Sequence, residues 1–429
     1  MERFNRTKIA EGVHFSTIFD DRFKTSRISV YMVTDIDKDK CLANIAASWL
    51  LARSCREYPS FRELGCKLDS LYGMHIMSGT TKIGDHQVVN ISTSFINDEY
   101  SLDGKSIYEE AAKLMCGVLF EPNVTDGAFS DEDFMQEQRQ LDEALDAQFN
   151  DKRAYAKRRF TEIMFKDEKC GVDLCGSKEL VAALTSEEAY NAYLELLKIT
   201  RVEIICLGSS STDKVKDIFT QYFSGLKRDV VFSDNEIVLT AGETKHKTDS
   251  MDVVQSKLML GYRTGCAEPD ERATAFKLMS AVLGGTAHSK LFNNVREKLS
   301  LCYYCMSSYD AQKGALFIES GVEHENVEKT KQAIMNEINE MIKGNITDEE
   351  IAAAKLSMAN SYETTVDTPT GTIAWYFSEI LKETYKTPAE RTAMINAVTK
   401  EEIVEAAKGL TLDTVYVLTG NGKESESDE

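Results

Sequence analysis

A period of two runs through Arg27-Ile28-Ser29-Val30-Tyr31-Met32-Val33, where apolar and polar residues alternate. Residues 88–95, 257–263 and 315–320 carry the same rhythm. Each stretch is predicted as a strand of a mainly antiparallel sheet, because alternation sends successive side chains to opposite faces. Apolar positions three and four apart predict helices over 44–52, 108–119, 133–165, 271–283, 327–343 and 348–381. The third should break near Asn150-Asp151 and the last at Pro369, since proline removes a backbone donor. Two β-branched runs, 202–208 and 414–420, each follow a short helix and close on glycine. Strands grouped apart from long helices indicate an α+β chain with helices covering the sheets.

The pattern occurs twice. Ser130-Asp131-Glu132-Asp133-Phe134 is matched by Thr347-Asp348-Glu349-Glu350-Ile351, and Phe160-Thr161-Glu162-Ile163 by Phe377-Ser378-Glu379-Ile380, at one offset of 217 residues. Leu184-Thr185-Ser186-Glu187-Glu188 is matched by Val398-Thr399-Lys400-Glu401-Glu402, with a Thr-x-x-Glu helix start in each. Earlier, Phe61, Lys67, Leu68 and Tyr72 align with Phe292, Lys298, Leu299 and Tyr303 at an offset of 231. Four matches in one order indicate duplication, with extra residues in the first half placed around 97–105. The expected layout is a domain over 1–225, a polar linker over 226–250, a second domain over 251–422 and a disordered acidic tail over 423–429.

The chain of 429 residues has a formal charge of −20, which argues against nucleic acid because phosphate binding needs a basic face. Met1-Glu2-Arg3-Phe4-Asn5-Arg6 leads into no apolar stretch and no window resembles a membrane span. The ten cysteines are scattered, so reduced thiols and a cytoplasmic location are expected. Cys302-x-x-Cys305 lies in a predicted strand, where alternation would put its thiols on opposite faces and rule out a redox or zinc clip. Asp35-Ile36-Asp37-Lys38-Asp39 opens like a calcium loop. Lys40 then replaces the turning glycine and Ala46 the bidentate glutamate, so a solvated turn is expected.

One segment carries candidate chemistry. Gly284-Gly285, Ser289-Lys290-Leu291-Phe292, Arg296-Glu297-Lys298 and Tyr303 resemble the Gly-rich turn, helix and strand of the insulinase-like (pitrilysin, M16) zinc peptidases, including their seven-residue Arg-to-Tyr spacing. The duplication extends the resemblance along nearly the whole chain, most closely to the bacterial group that forms two-chain peptidases. It implies two homologous domains of the LuxS/MPP-like metallohydrolase fold. It also implies that Arg296 and Tyr303 contact substrate backbone and oxyanion, with Gly284 and Gly285 in a substrate-facing loop. A guanidinium and a phenol are suited to developing negative charge. Residue type alone favours the plainer reading, with Arg296 paired to a helix acid and Tyr303 half-buried in the sheet, while the two glycines could equally end a helix.

The other half of such a site is missing. The family holds zinc with His-x-x-Glu-His and a distant glutamate, but none of His14, His75, His86, His246, His288 and His324 lies four residues from another. Alignment on Leu50-Leu51-Ala52-Arg53 places Ile45, Ser48 and Trp49 at the three key positions. The helix through Glu137 and Glu143 should have carried the third ligand. No metal is therefore expected in this chain, and an improvised site at His75 and His86 is disfavoured. Residues 59–64, 71–73 and 150–156 resemble the zinc-less members. The resemblance implies a subunit without activity alone, completing the site of a zinc-bearing partner that cleaves peptides. A structural or peptide-holding scaffold is the alternative. A stand-alone peptidase of other chemistry lacks any nucleophile paired with a base.

Overall fold

Ile28, Val30 and Met32 are buried under helices on one face of the first long strand, as the alternation requires. The computed structural model describes residues 4–420, and the tail over 423–429 lies outside the described residues. In chain order the first half forms β1 (Phe4–Ala10), β2 (Val13–Phe19), β3 (Thr25–Asp35), α1 (Cys41–Leu51), α2 (Phe61–Ser70), β4 (His75–Ile83), β5 (His86–Ile96) and α3 (Ile107–Phe120). A small hairpin of β6 (Val124–Thr125) and β7 (Ala128–Phe129) precedes α4 (Asp131–Asn150) and α5 (Lys152–Met164). Then come α6 (Lys178–Ala183), α7 (Ser186–Ile199), β8 (Arg201–Gly208) and α8 (Asp213–Ser224).

The second half forms β9 (Lys245–Ser250), β10 (Ser256–Arg263) and α9 (Ala273–Ser280), then two π-helical segments, Ala281–Gly285 and Leu291–Lys298. It continues with β11 (Cys302–Asp310), β12 (Ala315–Val322), α10 (Val327–Ile342), α11 (Asp348–Thr365), α12 (Pro369–Leu381), α13 (Pro388–Ala397), α14 (Lys400–Lys408) and β13 (Thr411–Thr419). The expected break between α4 and α5 falls at Asp151, whose carboxylate caps α5 by accepting from Arg153 and Ala154 N–H. Thr185 and Thr399 close capping boxes with Glu188 and Glu402, as the repeated motif predicted.

The sheets confirm the duplication in space. The first runs β1-β2-β8-β3-β5-β4 and the second β11-β12-β10-β13-β9. Read from the other edge, the second matches β2-β8-β3-β5-β4 strand for strand. The one parallel pair recurs as well, β2 with β8 and β9 with β13. Only β1 is additional. Residues 97–106 separate β5 from α3, whereas 323–326 separate β12 from α10, which accounts for part of the changing offset where extra residues were expected. One expectation fails: Lys245–Ser250, assigned to the linker, is the edge strand β9. Its sequence KHKTDS has no apolar alternation to reveal it, and its partner Thr414–Thr419 supplies the ladder.

The chain divides into two compact units that are not contiguous. One comprises the described residues through Ala147 together with Val172–Asp234 and Val366–Ser378. The other comprises Gln148–Gly171, Asn235–Thr365 and the described residues from Glu379. Contiguous domains over 1–225 and 251–422 were expected, but the halves exchange a helical segment. The reason is burial of the second sheet face. In the second unit Ala156, Phe160 and Met164 of α5 pack with Met259, Ala315, Tyr416 and Leu418 of the sheet. In the first, Phe377 of α12 stacks on Tyr31 with ring centroids 3.8 Å apart, and Tyr376 stacks on Phe4 at 4.8 Å.

Gly261 sets the closeness of α5 to β10. A Cβ there would lie 2.7 Å from Phe160 Cζ and closer still to Met164 Sδ. Gly261→Val should therefore cost about 1–3 kcal/mol by overpacking, read as a lower urea midpoint with an unchanged slope.

Candidate functional site

Arg296 and Tyr303 are positioned by a helix-to-strand transition in the second unit. Leu291–Lys298 winds wider than an α-helix, and Leu299 N–H donates to Asn294 O at 3.1 Å, five residues back. Such wide turns often mark functional sites. Ser300, at φ 51°, then reverses the chain into β11. Leu291 and Val295 anchor the wide helix in the core, which leaves Arg296 on its partly exposed flank.

β11 lies at the edge of its sheet and begins with a bulge. Cys302 pairs with Val322 and Tyr304 with Gly321, so Tyr303 is an inserted residue with no partner on β12. A bulge re-aims the extra side chain, and Tyr303 is 53 % exposed. Its hydroxyl donates to Glu323 Oε1, and the hydrogen bond to that carboxylate raises the phenol's pKa above the usual value. The Arg296 guanidinium lies 4.6 Å from the Phe292 ring centre, with Nε 3.6 Å from Glu297 Oε1. Arg296 also acts electrostatically on the Cys302 thiol, next to Tyr303 in the chain. Each of the two candidate donors is thus engaged by a local acid, Arg296 by Glu297 and Tyr303 by Glu323.

The two glycines separate in role. Gly284 is buried, and a Cβ on it would lie 2.6 Å from Ser307 N and 2.8 Å from Leu291 Cδ1, so its smallness serves packing against β11. Gly285 is exposed and has room for a side chain.

In the first unit the three positions aligned with zinc ligands and base fit no metal. Ile45 is buried in the core, Trp49 packs against it, and Ser48 Oγ donates to Ile45 O at 2.8 Å. Glu137 is 5 % exposed and accepts from Arg53 Nη1 at 2.6 Å and from Gln140 at 3.1 Å. Arg53 also donates to Asp133 at 2.9 Å and Gln136 at 2.7 Å. Burial opposes the guanidinium charge, but the hydrogen bonds to Glu137 and Asp133 outweigh it and raise its pKa. The acid on the helix expected to carry the distant ligand is thus neutralised by an arginine. Glu143 is exposed and pairs with Arg139 at 2.8 Å.

His75 and His86 cannot share a metal. Ile83 pairs with His86 across the hairpin, while His75 lies eight residues earlier on the same strand, roughly 27 Å away at the strand rise. His86 hydrogen-bonds Ser233 O at 2.8 Å and stacks on Phe232. Asp37, in the calcium-like stretch, accepts from Asp39 N–H in a turn. Among the described residues no group of three or more His, Cys, Asp or Glu side chains is placed to hold a metal, and no helix is long and apolar enough to cross a membrane.

Sequence reasoning missed Glu323, the seat of the Arg296 guanidinium on the Phe292 ring and the thiol arrangement. Strict alternation separates Cys302 from Cys305, but the extra residue at Tyr303 returns both to one side, where the two thiols influence each other's ionisation. The expectation of opposite faces is corrected by the bulge.

The family profile described as "Peptidase M16 inactive domain" matches residues 183–358. The chain is thus similar to the M16 peptidase family. It is 28% identical over 409 residues to the "Probable inactive metalloprotease YmfF" of Bacillus subtilis, covering 95% of this chain and 96% of that protein. A crystal structure of a conserved protein from Enterococcus faecalis superposes with a TM-score of 0.92 at 27% identity, covering 99% of this chain and 100% of the other. That of a peptidase M16 inactive domain from Pseudomonas fluorescens has the same fold, with a TM-score of 0.80 at 16% identity over 97% and 98% of the two chains. Likeness to an M16 homologue named inactive agrees with the non-ligating residues at positions 45, 48 and 49.

Removing Arg53 should leave Glu137 buried without its cation. Arg53→Ala is expected to lower stability by about 3 kcal/mol, measured by chemical denaturation. Arg53→Ala with Glu137→Gln should recover part of that loss.

Proposed function

We propose that this chain is a non-catalytic M16 subunit that lends Arg296 and Tyr303 to the active site of a zinc-bearing M16 partner. The observation that carries the reading is an asymmetry. An exposed tyrosine is raised on an edge-strand bulge that follows the helical segment carrying Arg296, while the aligned metal positions hold Ile45, Ser48, Trp49 and an arginine-neutralised Glu137. Two preorganised donors stabilise charge that develops on a peptide carbonyl during cleavage, and need no metal of their own to do so. β11 ends its sheet, so an extended peptide beside it gains main-chain hydrogen bonds with loose sequence preference. Gly285, exposed at the end of its helical turn, lets the peptide backbone pass close by. The pair works in the cytoplasm on peptides, and the isolated chain has no hydrolytic activity.

A second reading, an M16-like scaffold that holds peptide without aiding catalysis, draws on the same site. Glu297 and Glu323 already engage both donors, which a purely structural role would also produce. The two readings diverge when a partner is present.

The purified chain combined with its zinc-bearing partner should cleave unfolded peptides. Arg296→Ala and Tyr303→Phe should each lower kcat about 10²-fold or more while complex formation persists by size-exclusion chromatography. Unchanged turnover in both variants would exclude the donor role and leave the scaffold.

A further inference from the structure

The bulge that raises Tyr303 has a second product. By inserting one residue between Cys302 and Cys305, it brings a half-exposed thiol and a buried one to the same side of β11, where each influences the other's ionisation. The Ser320 hydroxyl, on the neighbouring strand opposite Cys305, interacts with both thiols and donates to Tyr304 O at 2.8 Å. Tyr303 and Tyr304 are the residues enclosed by the pair. Arg296 supplies positive charge from the adjoining helix turn. Charged groups nearby include Glu319, felt by Cys305 and paired with Arg153 over the Tyr304 ring, and Glu323, held by the Tyr303 phenol.

We propose that Cys302 and Cys305 form a peroxide-reactive dithiol whose oxidation to an intrastrand disulfide clamps the bulge carrying Tyr303. Cys302 is the attacking thiol because it is the reachable one and lies beside the Arg296 cation. Its sulfur bonds to one oxygen of a hydroperoxide, the O–O bond breaks, and the departing alkoxide takes a proton to become alcohol, or water from hydrogen peroxide. Cys302 is left as a sulfenic acid. Cys305, on the same side of β11, attacks that sulfur. The S–O bond breaks, the hydroxyl leaves with the Cys305 proton as water, and the disulfide forms. Two electrons pass from the thiol pair to one peroxide, so no further reactant is required.

Electrostatics separate this pair from the other cysteines. Burial raises the pKa values of Cys41, Cys55, Cys116, Cys206 and Cys266, which keeps them as inert thiols. Cys302 moves the other way, to about 7, through its hydrogen bond with Cys305 first, then Ser320 and Arg296, against burial. Cys305 is pushed well up by holding the shared proton and by burial. A reachable thiolate beside a protonated, buried neighbour is the division of labour that disulfide formation uses. The thiol chemistry stands by itself, whereas its effect on peptide cleavage rests on the donor reading of Tyr303.

The experiment treats the reduced full-length chain with hydrogen peroxide, blocks remaining thiols with iodoacetamide and maps peptides by mass spectrometry. A linkage between Cys302 and Cys305, reversed by dithiothreitol, is expected. In Cys305→Ser the sulfenic acid should persist on Cys302 and be trapped by dimedone. Without peroxide, Cys302 should alkylate at pH 7 roughly tenfold faster than exposed Cys66, as expected of a thiolate-rich cysteine. Alkylation no faster than Cys66, or peroxide giving only intermolecular or over-oxidised products in the wild-type chain, overturns the proposal. Oxidised and reduced chains are then compared with the zinc-bearing partner. If Arg296→Ala lowers turnover but the disulfide does not, the clamp fails and the donor reading stands. If the disulfide forms and neither change affects turnover, the donor reading fails and the dithiol stands.

Discussion

Backbone pairing on both sides of β3 and β10 is the constraint from which the rest of the structure follows. Each strand joins the late strand of its half on one side, β8 or β13, and the hairpin on the other. A strand paired twice and covered twice has to find apolar cover for both faces. Helices from its own half supply one cover. The second comes from α5 or the start of α12, which is why the compact units cross the midpoint of the sequence. The candidate site inherits its position from this arrangement, since the sheet that places β11 at an edge is the one seated on β10.

At the two ends of the duplication the same scaffold has been put to opposite uses. Around α1 the side chains close inward: Ile45 and Trp49 pack, Ser48 satisfies its own helix, and Arg53 gathers Asp133, Gln136 and the buried Glu137 into one partly buried network. Around the wide helix and β11 they open outward, with Arg296 on the flank and Tyr303 raised by a bulge. A buried charge network of this kind stabilises little relative to an apolar core, yet losing one member is costly. That asymmetry makes Arg53 costly to remove even though the network adds little over an apolar core.

Much of the fold was legible because period and punctuation are local. The strands at β3, β5, β10 and β12, the break at Asp151 and the paired capping boxes at Thr185 and Thr399 follow from short stretches of sequence. What stayed hidden depends on distant partners. β9 is polar and exists through its ladder with β13. The helix exchange depends on which sheet face lacks cover. The Tyr72–Tyr303 match does not extend into space, since Tyr72 lies in a turn before β4 and Tyr303 within β11. At the site, Arg296 and Tyr303 were visible through spacing, whereas Glu323 and the shared side of the two thiols required knowing that one residue is inserted in the ladder.

The exchanged helices also bear on how such a gene can be taken apart. Scission within 227–244 would divide the sequence between its repeats but would strand Phe160 and Met164 with the wrong fragment and deprive Tyr31 of Phe377. Each product would carry an uncovered apolar sheet face and a homeless amphipathic helix. A chain that arose by doubling has in this way lost the seam at which it could be cut without exposing both sheets.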